Sequence, residues 1–365
     1  MRPLLPFADA FRELGHEVLI AIPESATGLV LDAGHEAWSL PQAPAAVSDA
    51  IMARAQSATP EQANAIVIGE LFAGVHARAA MPGVMAAVAE WLPDVIMYES
   101  CEFAGALTAE RGGLPSVRVA VHMAALEGYI FEKAAREVDA LRAEHGLAPD
   151  PYGERMAASR SVTLTPPALD GGRREDHYRE PQVPLLAPPG DWNGDERPLV
   201  YVSYGTVAPQ GDAYPGIYQE AIEQLAGLDV RVLLNTGRQD PAALGPLPAG
   251  VHAERWVHEA AVLPYVAAMV THAGAGSVRT ALSAGVPLAL HPRFGDQPLN
   301  ARAVVAAGAG VLVTSSGGLR GAVSALLTEP AYAGVATGIA AEVAGLPDAG
   351  EAIDVLREEL VAFAA

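Results

Sequence analysis

Cysteine is nearly absent: Cys101 is the only one in 365 residues. An intramolecular disulfide is therefore excluded, no thiolate metal site is suggested, and Cys101 reads as an isolated structural thiol. Aromatic side chains are scarce at 6%, which favours closely packed helices and sheets over a surface of stacking platforms. Basic residues are few, with 23 Lys and Arg against 43 Asp and Glu and a net charge of -20. A long polyanion would be repelled, so nucleic acid is not an expected partner. One small anion can still be held by a local cluster of donors, because short-range hydrogen bonds outweigh a screened mean field. No uncharged apolar run of about 18 residues suggests a membrane span. No charged and then apolar opening suggests export, so a cytoplasmic location is expected.

What is present is a chain that is 51% hydrophobic and 18% charged, long enough for two domains that each bury a core. Residues 3–14 read as a helix stopped by Gly15, followed by a buried strand over 16–21. The domain thus opens at a helix: either the first strand of a βαβ unit is absent from this sequence or the domain starts unusually. Strands are expected over 93–98, 115–121 and 161–164, with helices over 60–81, 83–92, 102–111 and 127–145. The stretch 165–198 is dense in proline, glycine and charge, including Gly171, Gly172, Arg173 and Arg174, and reads as a boundary. A second β-α rhythm follows, with strands over 199–203, 230–235, 251–254, 269–271, 287–290 and 310–313. The expected division is an N-terminal domain 1–175, a linker 176–198, a C-terminal domain 199–347 and a helix 348–365 that packs back toward the N-terminal domain. The fold class is α/β, with two doubly wound domains.

The densest motif is Met269 to Ser277, where Gly274 and Gly276 let a tight turn aim peptide N-H groups and a helix N-terminus at one anion. Ser277 would add a hydroxyl near the N-cap and His272 a ring nitrogen. The GxGxxG spacing of a dinucleotide fold is missing, so a diphosphate is the expected ligand. One βα unit onward, Asp296 beside Gln297 offers a carboxylate and a carboxamide suited to adjacent sugar hydroxyls. The alternative is that Asp296 caps the following helix and Asn300 is a surface residue. Ser203 and Thr206, in Ser203-Tyr204-Gly205-Thr206, end the first strand of the second domain and are further candidates for phosphate or sugar contact.

Together these motifs resemble the family 1, GT-B-fold glycosyltransferases, especially the actinobacterial enzymes that glycosylate antibiotics and other natural products. The opening from Arg2 to Val18 is similar to the stretch after that family's first strand. The resemblance implies two Rossmann-like domains facing each other across a cleft, the first binding the acceptor and the second the donor. It implies that Arg255, Trp256, Val257 and His258 face the nucleobase and ribose, with His258 standing where the family usually has glutamine. His272, Gly274, Gly276 and Ser277 would cradle the diphosphate, with Ala273 where glycine is frequent; Asp296 and Gln297 would hold the donor sugar, and Thr206 would lie near its phosphate. The family's base histidine belongs to a Gly-His-x-x-Pro loop; aligning that proline on Pro3 puts the histidine just before Met1. Glu99 would orient it, with Glu102 a further candidate, and His122 would serve in its place or line the acceptor pocket.

The expected activity is inverting transfer of a sugar from a thymidine or uridine diphosphate donor to a hydroxyl of a small, mostly apolar natural product. No metal ligand cluster appears, so metal independence and no bound cofactor are expected. A monomer or homodimer is open. A nucleotide-sugar epimerase and a non-catalytic nucleotide-sugar-binding helper are the alternatives.

Overall fold

The computed structural model describes residues 3–171, 176–190, 192, 194–206, 214–315 and 317–364. Arg2, Gly172, Arg173 and Arg174, named above, lie outside them. The chain divides into two compact units. The first comprises residues 1–164, 175–181 and 347–365; the second comprises 165–174 and 182–346. The expected boundary is corrected here. Residues 165–174 group with the second unit because the 3-10 turn Pro167–Leu169 packs on the helices Gln297–Ala307 and Pro330–Ala344, and Ala168 N donates to Glu342 at 3.0 Å. Residues 347–365 belong to the first unit, where the helix Ile353–Ala364 packs against strand Ser116–Ala120.

The strands of the first unit are β1 (Leu19–Pro23), β2 (Glu36–Leu40), β3 (Ile96–Glu99), β4 (Ser116–Ala120) and β5 (Ser161–Thr163). All pairings are parallel, but the sheet lies in two pieces, β1-β2 and β3-β4-β5. The helix Leu5–Glu13 bridges them. Its Ala8 packs with Ile20, Ile22 and Val30 on the β1 side, while Phe7 and Phe11 pack with Val117, Val119 and Val162 on the other. Strand β2 is absent from the sequence-based expectation. It is a lightly buried strand, with Leu40 its one fully buried side chain, and gives little period-two signal.

The two expected helices over 60–81 and 83–92 are one continuous helical run, Pro60–Trp91. Its middle, Ile66–His76, winds as a π-helix, and Pro82 sits inside the α-helical part that follows. Proline forfeits one backbone hydrogen bond there. Packing holds the run together regardless: Met81 is fully buried, and Gly83 lies so close to Leu40 and Pro41 that a Cβ would come within 2.5 Å of Pro41 Cδ. This run, which includes Glu61, Glu70, Arg78 and Glu90, is long and apolar enough to cross a bilayer by length and composition. In the structure it packs against the helices Ala45–Gln56 and Ala124–Glu144.

The second unit holds β6 (Leu199–Ser203), β7 (Arg231–Asn235), β8 (Val251–Glu254), β9 (Ala268–Thr271), β10 (Leu288–Leu290) and β11 (Gly310–Leu312). Their order is β11-β10-β9-β6-β7-β8, all parallel. Every side chain of β6, β9 and β10 is buried, as expected when helices cover both faces of a parallel sheet. The order reverses direction between β6 and β9. In a doubly wound sheet that switch point, at the carboxyl ends of the strands, is where ligands bind.

Candidate functional site

At the switch point the carboxyl ends of β6 and β9 present their loops side by side. The helix after β9 runs Ala275–Ser283, with Gly274 as N-cap. No side chain caps it and no acidic residue stands in its first turn. Its first-turn amides and positive dipole end are thus left for an anion. Helix onset three residues before Val278 puts Ser277 within the first turn rather than at the cap. Ala273 adopts the left-handed conformation, φ 67°, a region in which glycine carries no Cβ penalty.

The His272 ring is clamped by two glycines. A Cβ on Gly205 would lie 2.8 Å from its Nε2, and one on Gly274 would lie 2.5 Å from the same atom. Its Nδ1 is 3.3 Å from Thr271 Oγ1, and it also bonds the Ser203 backbone. Burial lowers its pKa, opposed by the charge of Asp296. His272 is therefore a neutral imidazole near pH 7, which ties the two loops and offers polarity without full charge. Ser203 is fully buried, with its hydroxyl accepting from Gly205 N at 3.4 Å, so it shapes the turn. Thr206 follows, part-exposed, at the end of the same turn.

Asp296 is the N-cap residue of the helix Gln297–Ala307, yet its side chain makes no capping hydrogen bond. Its Oδ2 instead accepts from Asn300 Nδ2 at 2.7 Å. Asn300 is completely buried, not a surface residue, and also donates to Ala273 O at 3.0 Å. One amide thereby joins the turn after β9 to the loop after β10. Its position four residues after Asp296, on the same helix face, was the available signal. Gln297 is buried, and its Oε1 accepts from Arg293 N and Phe294 N at 2.8 and 3.1 Å. Its carboxamide oxygen is committed to closing the loop.

Arg255, Trp256, Val257 and His258 follow β8 on the same sheet edge. Val257 is buried, while the Trp256 ring is 43% exposed with the Arg238 guanidinium 5.4 Å above it. Arg255 pairs with Asp240 at 3.1 Å. His258 is the N-cap residue of the short helix Glu259–Val262 but places no side-chain hydrogen bond there.

In the first unit, the carboxyl ends of β3 and β4 gather a cluster of ionisable groups. Glu99 Oε2 accepts from Cys101 N at 3.2 Å, and burial raises its pKa. Glu102 caps the helix Phe103–Gly112, accepting from Ala104 N and Gly105 N at 3.0 and 2.8 Å. Burial pushes its pKa up to about 7. His122, just past β4, has Nδ1 3.2 Å from Glu127 Oε1. Glu127, which also pairs with Arg118 at 3.4 Å, is a residue that sequence reasoning missed. Among the described residues no group of three or more His, Cys, Asp or Glu side chains could hold a metal ion.

Comparison with known proteins places this geometry. Residues 219–359 match the family described as erythromycin biosynthesis protein CIII-like, C-terminal domain. The elloramycin glycosyltransferase ElmGT of Streptomyces olivaceus is 33% identical over 263 residues, covering 72% of this chain and 67% of that protein. The L-demethylnoviosyl transferase of Streptomyces niveus is 29% identical over 317 residues, covering 85% and 80%. The solved structure of the glycosyltransferase SnogD from Streptomyces nogalater superposes with a TM-score of 0.76 at 25% identity, covering 98% of this chain and 95% of that one. This chain belongs to the GT-B-fold glycosyltransferases related to the sugar transferases of actinobacterial antibiotic biosynthesis.

Proposed function

We propose that the protein transfers a sugar from a thymidine or uridine diphosphate donor to a hydroxyl of a small, mostly apolar natural product, with inversion at the anomeric carbon. The observation that carries this reading is the uncapped helix N-terminus at the β6/β9 switch point, beside the clamped His272. The amides of Ala275, Gly276 and Ser277 receive the diphosphate, and their dipole disperses the charge that grows on it as the bond to the sugar breaks. Trp256 offers an exposed ring to the nucleobase. Asp296, held by Asn300 and free of capping duty, accepts from sugar hydroxyls.

Removal of the acceptor proton belongs to the first unit, at the carboxyl ends of β3 and β4. Glu99 stands there to orient an imidazole base. His122, just past β4, is an imidazole at the same place. A positioned base contributes roughly a factor of 100 to 10,000 in rate.

The test is incubation with radiolabelled TDP-glucose or UDP-glucose and a panel of phenolic and alcoholic acceptors, with the product's anomeric configuration read by NMR. A new glycoside of inverted configuration is expected, at a rate that a chelator leaves unchanged. An altered nucleotide sugar with no glycoside would establish an epimerase instead, and donor binding with neither product would establish a helper.

A further inference from the structure

Asn300 holds two loops of the second unit with a single nitrogen. The residue lies in the first turn of the helix Gln297–Ala307 and is completely buried. Its Nδ2 donates to Ala273 O at 3.0 Å and to Asp296 Oδ2 at 2.7 Å, which uses both amide hydrogens. Turned over, the amide would set its oxygen against a carbonyl and a carboxylate, so these two partners fix its orientation. Its Oδ1 has no partner among the described residues. What the position gains is the pair of donors, since a side chain kept only to fill the space would not leave a buried oxygen unpaired.

Each bond settles something that its own loop does not. Ala273 keeps φ 67°, and the Asn300 amide meets its buried carbonyl from outside the turn. Asp296 is an N-cap residue that makes no capping hydrogen bond, although a carboxylate at that position normally turns to the helix amides. Asn300 takes Oδ2 instead, which leaves Oδ1 for another donor. The carboxylate also stands near His272: burial lowers the pKa of that ring and the charge of Asp296 opposes it. All of these residues belong to the second unit.

Resting on the transferase reading above, we propose that Asn300 is a positioning residue of donor binding, which sets Asp296 Oδ1 to accept from a sugar hydroxyl and, from the same nitrogen, steadies the turn whose amides meet the diphosphate. It touches no substrate itself. The sugar and the diphosphate are then met by loops that share one hydrogen-bonding atom, and loss of that atom is felt by both, more by the sugar, because the turn keeps its bond to Thr271 while Oδ2 of Asp296 loses the partner that holds it.

The test is titration calorimetry of the full chain with TDP, UDP, TDP-glucose and UDP-glucose, on wild type, Asn300→Ala, Asp296→Ala and the double variant. TDP and UDP report the diphosphate, and the ratio of sugar-nucleotide affinity to nucleotide affinity reports the sugar. Asn300→Ala is expected to weaken the nucleotide about threefold and its sugar nucleotide about thirtyfold, so that the ratio falls about tenfold. Asp296→Ala should lower the ratio to a similar extent, and Asn300→Ala added to it should lower the ratio no further. Asn300→Ser keeps one donor and makes the same comparison, with a smaller loss, should the alanine chain fail to fold. A merely structural role weakens nucleotide and sugar nucleotide alike. An unchanged ratio in the Asn300 variants, with Asp296→Ala lowering it, would therefore overturn the proposal, as would independent losses that add in the double variant. A crystal structure of ligand-free Asn300→Ala answers without any donor: the Asp296 carboxylate should leave its place, and an unmoved carboxylate refutes the assignment. Binding of none of the four compounds by wild type, or a ratio that Asp296→Ala leaves unchanged, would instead strike the donor reading on which the proposal rests.

Discussion

Gly205 and Gly274 are the residues on which the position of His272 depends, and they act differently. Gly205 has φ 72°, so any side chain there meets both backbone strain and the ring. Gly274 has an ordinary φ of -63°, so a methyl group added there acts by contact alone. Gly274→Ala is expected to displace the imidazole and weaken nucleoside diphosphate binding about tenfold, or roughly 1.4 kcal/mol, with little change in Tm. Titration calorimetry and a melting curve measure the two, and an unchanged Kd would detach the ring from the anion site. Ala273 between them carries strain of about 1 kcal/mol as a non-glycine left-handed residue. Its surroundings over-determine it: its N-H is 3.3 Å from Thr271 Oγ1, and its carbonyl accepts from Asn300. Gly274, Gly276 and His272 stood out in the sequence as a turn motif, although the left-handed residue of that turn is Ala273, Gly274 keeps an ordinary φ and Gly276 lies within the helix. Glu127 did not stand out, since its partner Ser100 lies 27 residues away, and Asn300 showed only its i, i+4 spacing from Asp296, while its bond to Ala273, also 27 residues away, appears only in the folded chain.

Among the elements, the helix Phe103–Gly112 carries an unusual cap. An N-terminal carboxylate normally gains from the helix dipole, but burial raises the Glu102 pKa from 4.5 to about 7. A carboxyl whose folded pKa is raised binds its proton more tightly in the native state. Its contribution is therefore full below about pH 4.5 and is lost as pH rises through 7, a decline of up to about 3 kcal/mol. Glu99 is shifted in the same direction by burial and adds to the slope. Denaturant melts of Glu102→Gln between pH 4.5 and 8 should show a flatter stability profile than wild type, and parallel profiles would show that the shift is absent. Element by element, the strands of the second unit were legible because parallel strands buried on both faces read as short apolar runs such as Leu199 to Val202. The helical run Pro60–Trp91 was legible in content but not in continuity. Proline at 82 reads as a break, and only the contact of Gly83 with Leu40 and Pro41 shows why the chain continues straight through.

At the scale of the whole chain the two units, built on the same layered α/β plan, differ in how their sheets are completed. The second has six strands in unbroken order, and the first has two parallel pieces bridged by the helix Leu5–Glu13. The two-unit plan was readable from the repeated rhythm of strands and from the turn-rich stretch over 165–198. The assignment of residues 165–174 to the second unit was not, because it rests on packing of Pro167–Leu169 against helices far along the chain. The unbroken order of the second sheet has a consequence for breathing motions. In a parallel ladder a strand's amides alternate between its two neighbours. β6 pairs with β7 and β9, and β9 with β6 and β10, whereas β8 and β11 stand at the two ends of the order. Deuterium should enter β8 and β11 first and β6 and β9 last; equal exchange in all four would contradict this. The floor of the switch point is thereby the last part of this sheet to open.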